Sequence, residues 1–328
     1  MRAMAIVLLG TFFGTFNNSA ASVALVKVLD EYRVGIGSGV WFVTSYVVAF
    51  AVTMPLAGVL ADRFGTRRIY LVGLVGFLFS SLGVALAPSY PWLIGLRTLQ
   101  GVFNGPVLPT VMVTAVALAP GDSVGKAMGA WAAVNGAAIA LGPPIAGVLT
   151  DSLGWRSVFW LQVPLLAGVV LATMAMVPDV APTRAGRKID LVGVTLLTIG
   201  LIGVMVGFSR SSAWGWRSPL TWGVLAGGAG ALAAFGRWSR SRPDPVVDPR
   251  LFASRAFSSL AIAAGLQMVV LYGVLLAVPL LLVDLFGFSI TGAGAFVFVL
   301  PLTMIVCSPI SGWLADRYSV RRVVLGGG

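Results

Sequence analysis

Residues 58–68 read GVLADRFGTRR, and residues 312–322 read GWLADRYSVRR. Seven of the eleven positions are identical, in a chain of 328 residues that is 58% hydrophobic and only 10% charged. Each phrase follows an apolar run of the length that crosses the hydrocarbon core as a helix, about 20 residues. A soluble domain carries roughly 25% charged residues, and a β-barrel would show short alternating segments instead. With a mean hydropathy of +0.96, the fold class is an all-α polytopic membrane protein.

Working outward from the two phrases, ten spans are predicted: about 4–26, 38–61, 69–87, 92–116, 125–149, 157–177, 191–208, 219–237, 257–284 and 292–314. The basic start and apolar stretch of MRAMAIVLLG also fit a signal peptide. The apolar stretch runs on past Asn17 and Asn18, which favours a retained first span. Basic residues set the orientation. With the N-terminus inside, sixteen of the 22 Lys and Arg fall on the cytoplasmic side and five outside. Arg97 lies within span four or near its outer end. Both chain ends are therefore expected in the cytoplasm of a cell whose plasma membrane holds the protein. The net charge of +11 then faces an anionic leaflet, and no nucleic-acid partner is needed to explain it. Trp41, Trp92, Trp155, Trp160, Trp214 and Trp216 fall near outer span ends, where aromatic residues anchor the interface.

Few residues here suit catalysis or metal binding. Histidine is absent, which removes the usual proton shuttle and the commonest metal ligand. Cys307, the single cysteine, is expected to be a small buried hydrophobe. With no metal cluster, nucleophile–base pair or phosphate loop, the sequence implies neither an enzyme nor a cofactor.

The phrase repeats because the chain contains two related halves. Gly58 and Gly312 let helices approach closely. Asp62 and Asp316 sit where hydrocarbon meets water, and the positive N-terminal end of a neighbouring helix suits each carboxylate. The intervening Gly65 and the basic residues Arg63, Arg67, Arg68, Arg317, Arg321 and Arg322 complete two cytoplasmic loops whose cations pair with acids or headgroups.

These phrases resemble the conserved loop of the major facilitator superfamily, and other segments agree. LIGLRTLQGVFNG (93–105) resembles its fourth-span motif at Arg97, Gln100 and Gly101. GAAIALGPPIAG (136–147) resembles the fifth-span motif of its exporters at Gly136, Gly142, Pro143 and Gly147, with Ala146 in place of a glycine. WFVTSYVVAFAVTMPLAG (41–58) is similar to the second span, and GWRSVFWLQVPL (154–165) to the opening of the sixth. The second phrase follows the tenth span, so two extra spans separate the halves. That arrangement resembles the fourteen-span drug:proton antiporters of the EmrB/QacA type. The resemblance implies a six-helix bundle over 1–178, two extra spans over 179–256, and the start of a second bundle over 257–328. Against fourteen spans the sequence stops four short, at VVLGGG. The resemblance further implies that the first loop latches onto a helix of the second half, while Asp316 should reach the start of span five, near Asp122 to Lys126.

Of eleven acidic residues, none is placed at mid-span. Where such antiporters often carry a first-span acid, this chain has Asn17. Proton coupling or gating is therefore assigned to Arg97, Gln100, Gly101 and Asp284, with Arg97 acting through a partner because guanidinium does not deprotonate. Mid-span polar and aromatic residues should face the bundle interior: Asn17, Asn18, Tyr46, Asn104, Trp131, Asn135, Gln267 and Tyr272 are the candidate pocket. The function implied is export of hydrophobic or amphipathic small molecules in exchange for protons, by alternating access. The alternatives are a same-fold exporter of one metabolite and a truncated, non-transporting membrane remnant.

Overall fold

The computed structural model describes residues 2–119, 123–178, 190–287, 296 and 298–318. Regular structure among them is helical: α1 (Arg2–Tyr32), a short α2 (Ile36–Gly39), α3 (Trp41–Phe64), α4 (Thr66–Ala85), α5 (Tyr90–Asn104), α6 (Val107–Ala117), α7 (Val124–Leu153), α8 (Arg156–Met176), α9 (Leu191–Trp214), α10 (Pro219–Arg240), a 3-10 turn (Pro249–Ala253), α11 (Arg255–Asp284) and α12 (Val299–Tyr318). Counting α5 and α6 as one interrupted span, eight are long and apolar enough to cross a membrane on the described residues alone. Helices α11 and α12 fall at the ninth and tenth predicted spans.

The fourth predicted span is not one continuous helix. It breaks at Gly105 and Pro106. Proline supplies no N–H to the ladder. A methyl at Gly105 would meet Thr53 and the Phe50 carbonyl of α3, so the break also sits at a close approach. In α7, by contrast, Pro143 and Pro144 lie inside an uninterrupted helical assignment.

Helix α1 is structural and central, packed on α3, α6, α7 and α8. Ala20, Ala21, Ala24 and Val28 on it are fully buried beside Phe42, Trp155 and Phe159. Toward its start, Val7 and Leu8 join Tyr70, Leu74, Phe77 and Leu166 in a second apolar cluster. Small residues let these backbones come close without a hydrophobic drive from lipid. Gly142 of α7, for example, faces Ser19 so tightly that a methyl would collide with it. Large apolar side chains such as Val72, Phe79, Val148 and Leu171 point outward, as lipid-facing surfaces require.

Helices α9 and α10 pack on each other and α9 docks on α3, where the Arg210 guanidinium lies 4.8 Å from the Trp41 ring centre. Gly203 and Gly228 meet backbone to backbone at that pair's crossing.

Helix α12 runs along α7. A methyl at Gly125 would strike the Gly312 carbonyl, one at Gly312 the Gly125 carbonyl, one at Gly129 the Ser308 carbonyl, and one at Gly136 would press on Met304. At the end of this seam the Asp316 carboxylate accepts from the Gly125 and Lys126 backbone N–H groups, at 2.6 and 2.9 Å. It thus satisfies two of the orphan donors of the first turn of α7, at the place expected from sequence.

Two expectations are corrected. Gly58 has open space where a Cβ would be, so it is not a close-packing glycine against the described residues, and Gly147 of the fifth-span motif is open in the same way. Cys307 is exposed on α12 rather than buried, because the seam with α7 is formed by a different face. The conformational need is instead at Gly65, whose φ of 91° joins α3 directly to α4.

Substitutions separate these glycines. Gly312→Val should overpack the seam and cost about 1–3 kcal/mol, read as a lower melting temperature of the purified protein. Gly147→Ala should be neutral or stabilising by up to about 1 kcal/mol, since it gains helix propensity without a clash.

Candidate functional site

One face of α5 carries Arg97, Gln100, Gly101 and Asn104, at helical spacings of three and four, and all four are buried. Arg97 is fully enclosed. Its Nε donates to the Phe42 carbonyl at 2.9 Å and its Nη1 to Gln100 Oε1 at 2.8 Å. Gln100 in turn donates to Ser81 Oγ at 2.8 Å. The guanidinium lies over the rings of Phe42, Tyr46 and Phe159, at 5.0, 4.7 and 5.8 Å from their centres. Stacking on aromatic faces compensates part of the desolvation of a buried cation. Its Nη2 has no hydrogen-bond partner. Gly101 lets α5 meet α3 at the Tyr46 carbonyl and Ala49.

Tyr46 links this stripe to a cavity. Its Oη accepts from Asn104 Nδ2 at 2.7 Å and donates to the Gly14 carbonyl at 3.1 Å. The cavity, of about 360 Å³, is walled by Thr11, Gly14, Thr15 and Asn18 of α1; Tyr46, Val47 and Phe50 of α3; Asn104, Val107 and Leu108; Trp131, Ala132, Asn135 and Ile139 of α7; and Met268, Leu271 and Met304 of α11 and α12. None of these is charged. Asn135 Oδ1 accepts from Thr15 Oγ1 at 2.6 Å and its Nδ2 donates to the Trp131 carbonyl at 2.9 Å. Three buried polar atoms on lining residues have no partner: Thr11 Oγ1, Asn18 Oδ1 and Trp131 Nε1.

Of the candidate pocket residues, the structure brings Asn18, Tyr46, Asn104, Trp131 and Asn135 together. Asn17 is corrected: it is fully buried but turned toward α8, its Oδ1 3.5 Å from Gln162 Nε2. One helical step carries it about 100° from the Asn18 face. Gln267 is corrected too, being exposed beside the neighbouring Met268 that does line the wall. The side chains of Tyr272 and Asp284, and residues Asp122, Arg321 and Arg322, lie outside the described residues. Thr11, Gly14 and Thr15 were missed by the sequence reading, although their spacing of three, four and seven from Asn18 puts them on its face.

In the first loop, Arg67 Nη2 donates to the Met174 carbonyl at 2.6 Å, capping the last turn of α8 as a basic side chain does near a helix C-terminus. Arg63 lies 5.1 Å from the ring centre of the adjacent Phe64. At the opposite face, Glu31 accepts from Trp155 Nε1 at 2.7 Å and pairs with Arg156 at 2.5 Å. Arg156 also donates to Tyr32 Oη at 3.0 Å. Trp155 is therefore buried in a clamp between α1 and α8 and is not one of the interfacial anchors.

Tyr46→Phe should remove the acceptor of Asn104 Nδ2 and a second donor to the Gly14 carbonyl, which keeps its own helical bond, and cost about 1–2 kcal/mol in thermal unfolding. Thr44→Val, on the same helix, removes a hydroxyl that bonds only to its own turn at Val40 and should stay within about 0.5 kcal/mol.

Comparison with known proteins follows the same lines. The family model of the Major Facilitator Superfamily matches residues 7–328. The tetracenomycin C resistance and export protein of Streptomyces glaucescens is 30% identical over 314 residues, covering 95% of this chain and 58% of that protein. The multidrug export protein EmrB of Escherichia coli K12 is 28% identical, covering 96% and 62%. The chain thus spans about three fifths of the length of these relatives. Among solved structures, the human organic anion transporter MFSD10 superposes with a TM-score of 0.63 at 18% identity, over 95% of this chain and 72% of that one, which is a likeness of fold. With matching motifs, helical architecture and family model over nearly its whole length, the chain belongs to the Major Facilitator Superfamily, a membrane transporter family rather than one of enzymes.

Proposed function

We propose that the protein is a secondary active exporter of hydrophobic or amphipathic small molecules, driven by exchange for protons and working by alternating access in the plasma membrane. The observation that carries this reading is the cavity, whose walls come from α1, α3 and α5–α7 together with α11 and α12. A site at the seam between two sets of helices changes its exposure when those sets rock. Its lining, mostly apolar with a few placed polar groups, is what small-molecule sites present. The export and multidrug activities named for the two relatives support the same direction, toward cargo leaving the cell.

On this reading residues 1–178 form one bundle, 257–328 open the second, and 179–256 insert the α9–α10 pair between them. Asp316 holds the cytoplasmic end of the seam closed, and the loop at Gly58 to Arg68 plays the matching part in the first half. Arg97, Gln100, Gly101 and Asp284 couple or gate: a guanidinium does not release its proton, so Arg97 acts by biasing a neighbouring group or water. Both chain ends face the cytoplasm, where the basic loops meet anionic lipid.

The test is export of Nile red from energised cells expressing the gene product. Export should collapse on adding a protonophore, and Ala132→Trp, which fills the cavity, should lower it at least about tenfold at unchanged membrane abundance. Export that ignores both the protonophore and Ala132→Trp would rule this reading out.

A further inference from the structure

We infer that the end of the α9–α10 pair where Asp190 meets Trp238 binds an anionic phospholipid, its phosphate held by Arg237 and Arg240 and an acyl chain laid along α10. A groove of about 540 Å³ lies there, lined by Leu196 of α9 and by Ala234, Arg237, Trp238, Arg240 and Ser241. It shares no lining residue with the cavity and is independent of the export reading. Arg237 and Arg240 stand three apart in the last turn of α10, so they share a face, and both are exposed. Two guanidinium forks side by side suit a phosphate, which takes paired N–H donors. Basic residues in a last helical turn also suit the helix dipole, but the dipole alone calls for neither a groove nor a fixed indole.

The indole is held in place. Trp238 Nε1 donates to Asp190 Oδ1 and Oδ2 at 3.0 and 3.2 Å, and Asp190 also caps α9 by accepting from the Gly193 N–H at 3.0 Å. This tie joins the two helix ends, and the Arg242 guanidinium lies 4.1 Å from the Trp238 ring centre. A tryptophan at that position is what the headgroup level of a membrane favours. Residues 237–255 hold five arginines and two aspartates, a balance that draws an anion. The acyl chain has a place as well. Gly223, Ala226, Gly230 and Ala233 are exposed and recur at three and four residues, the face that leads on to Arg237 and Arg240. Gly223 and Gly230 have open space where a Cβ would be, so another chain can lie close to the helix. A free phosphate would use the guanidinium pair alone, whereas a phospholipid covers the apolar stripe too. A second copy packed in parallel on the same stripe would set its own arginine pair against this one, like charge on like charge.

The test titrates the purified protein, in neutral detergent, with dioleoylphosphatidylglycerol and with dioleoylphosphatidylcholine, and counts bound lipid by native mass spectrometry. Phosphatidylglycerol should bind at least about tenfold tighter, because the choline cation of the other lipid meets the same arginines. Arg237→Gln combined with Arg240→Gln should lower phosphatidylglycerol affinity at least about tenfold. Arg250→Gln combined with Arg255→Gln removes the same charge from outside the groove lining and should change it less than about threefold. All four arginines are exposed, so both variants should fold and keep the melting temperature seen in lipid-free detergent. Inorganic phosphate in large excess should not displace the lipid. Equal affinity for the two lipids would overturn the inference, and equal loss in the two double variants would do so by showing diffuse attraction to a basic surface. Displacement by phosphate would reduce the groove to a bare anion site and overturn it as well. A protein dimer that persists in phosphatidylglycerol and is split by Gly230→Trp would give the stripe to a second copy, with the same consequence.

Discussion

The Asp316 carboxylate on the first turn of α7 is the contact on which the placement of α12 turns. It joins α12 to α7 through two charge-assisted bonds, to the Gly125 and Lys126 N–H groups, at the place where helix dipole and unpaired donors favour an anion. Such bonds need the helices to be near, and Gly125, Gly129, Gly136 and Gly312 allow it by presenting no side chain to the seam. The same approach sets Met304 into the cavity wall. Close packing, electrostatic cap and cavity are thus one geometry: α12 cannot move along α7 without losing the cap and altering the cavity together.

Arg97 presents the opposite case, a charge kept inside with neutral partners only among its hydrogen bonds. Removing one partner of a buried charge is strongly destabilising, whereas a well-packed apolar replacement is often tolerated. Retaining arginine here fixes several elements at once. It ties α5 to the Phe42 carbonyl of α3, orients Gln100 toward Ser81 of α4, and occupies the space between three aromatic rings. Tyr46 shares its ring with Arg97 and its hydroxyl with Asn104 and Gly14. A shift of α5 against α3 would therefore be felt at the cavity.

The spans were legible because hydrophobic length is a one-dimensional signal, and the helix ends differ from the expected ones by a few residues. The α5 stripe was legible too: polar residues at mid-span have few affordable places to face. What sequence could not give was azimuth. Asn17 and Asn18 are adjacent and equally polar, yet only Asn18 reaches the cavity, because which side of α1 meets α8 is decided by packing. Gln267 failed for the same reason, losing its place to Met268. Gly58 and Gly147 show the limit of motif reading. A glycine matched to a motif reports a close approach only when its partner helix lies against it, and the described residues place none at either position.

The composition of the cavity bears on how export and proton exchange can be coupled in the proposed cycle. The described lining residues of the cavity carry no carboxylate, so none of them offers a group for which cargo and proton would compete, and in the proposed cycle the two communicate through conformation. Among the described residues a chain runs from Arg97 through Tyr46 to Asn104, in which one ring touches the buried cation and its hydroxyl touches the wall. If cargo is uncharged, an exchange for protons moves net charge in each cycle, so the membrane potential as well as the pH difference would drive it. Asn17, which stands where the sequence comparison expects an acid, is buried against Gln162 of α8 and not among the lining residues of the cavity, so an acid at that position would face the α1–α8 contact rather than the cargo.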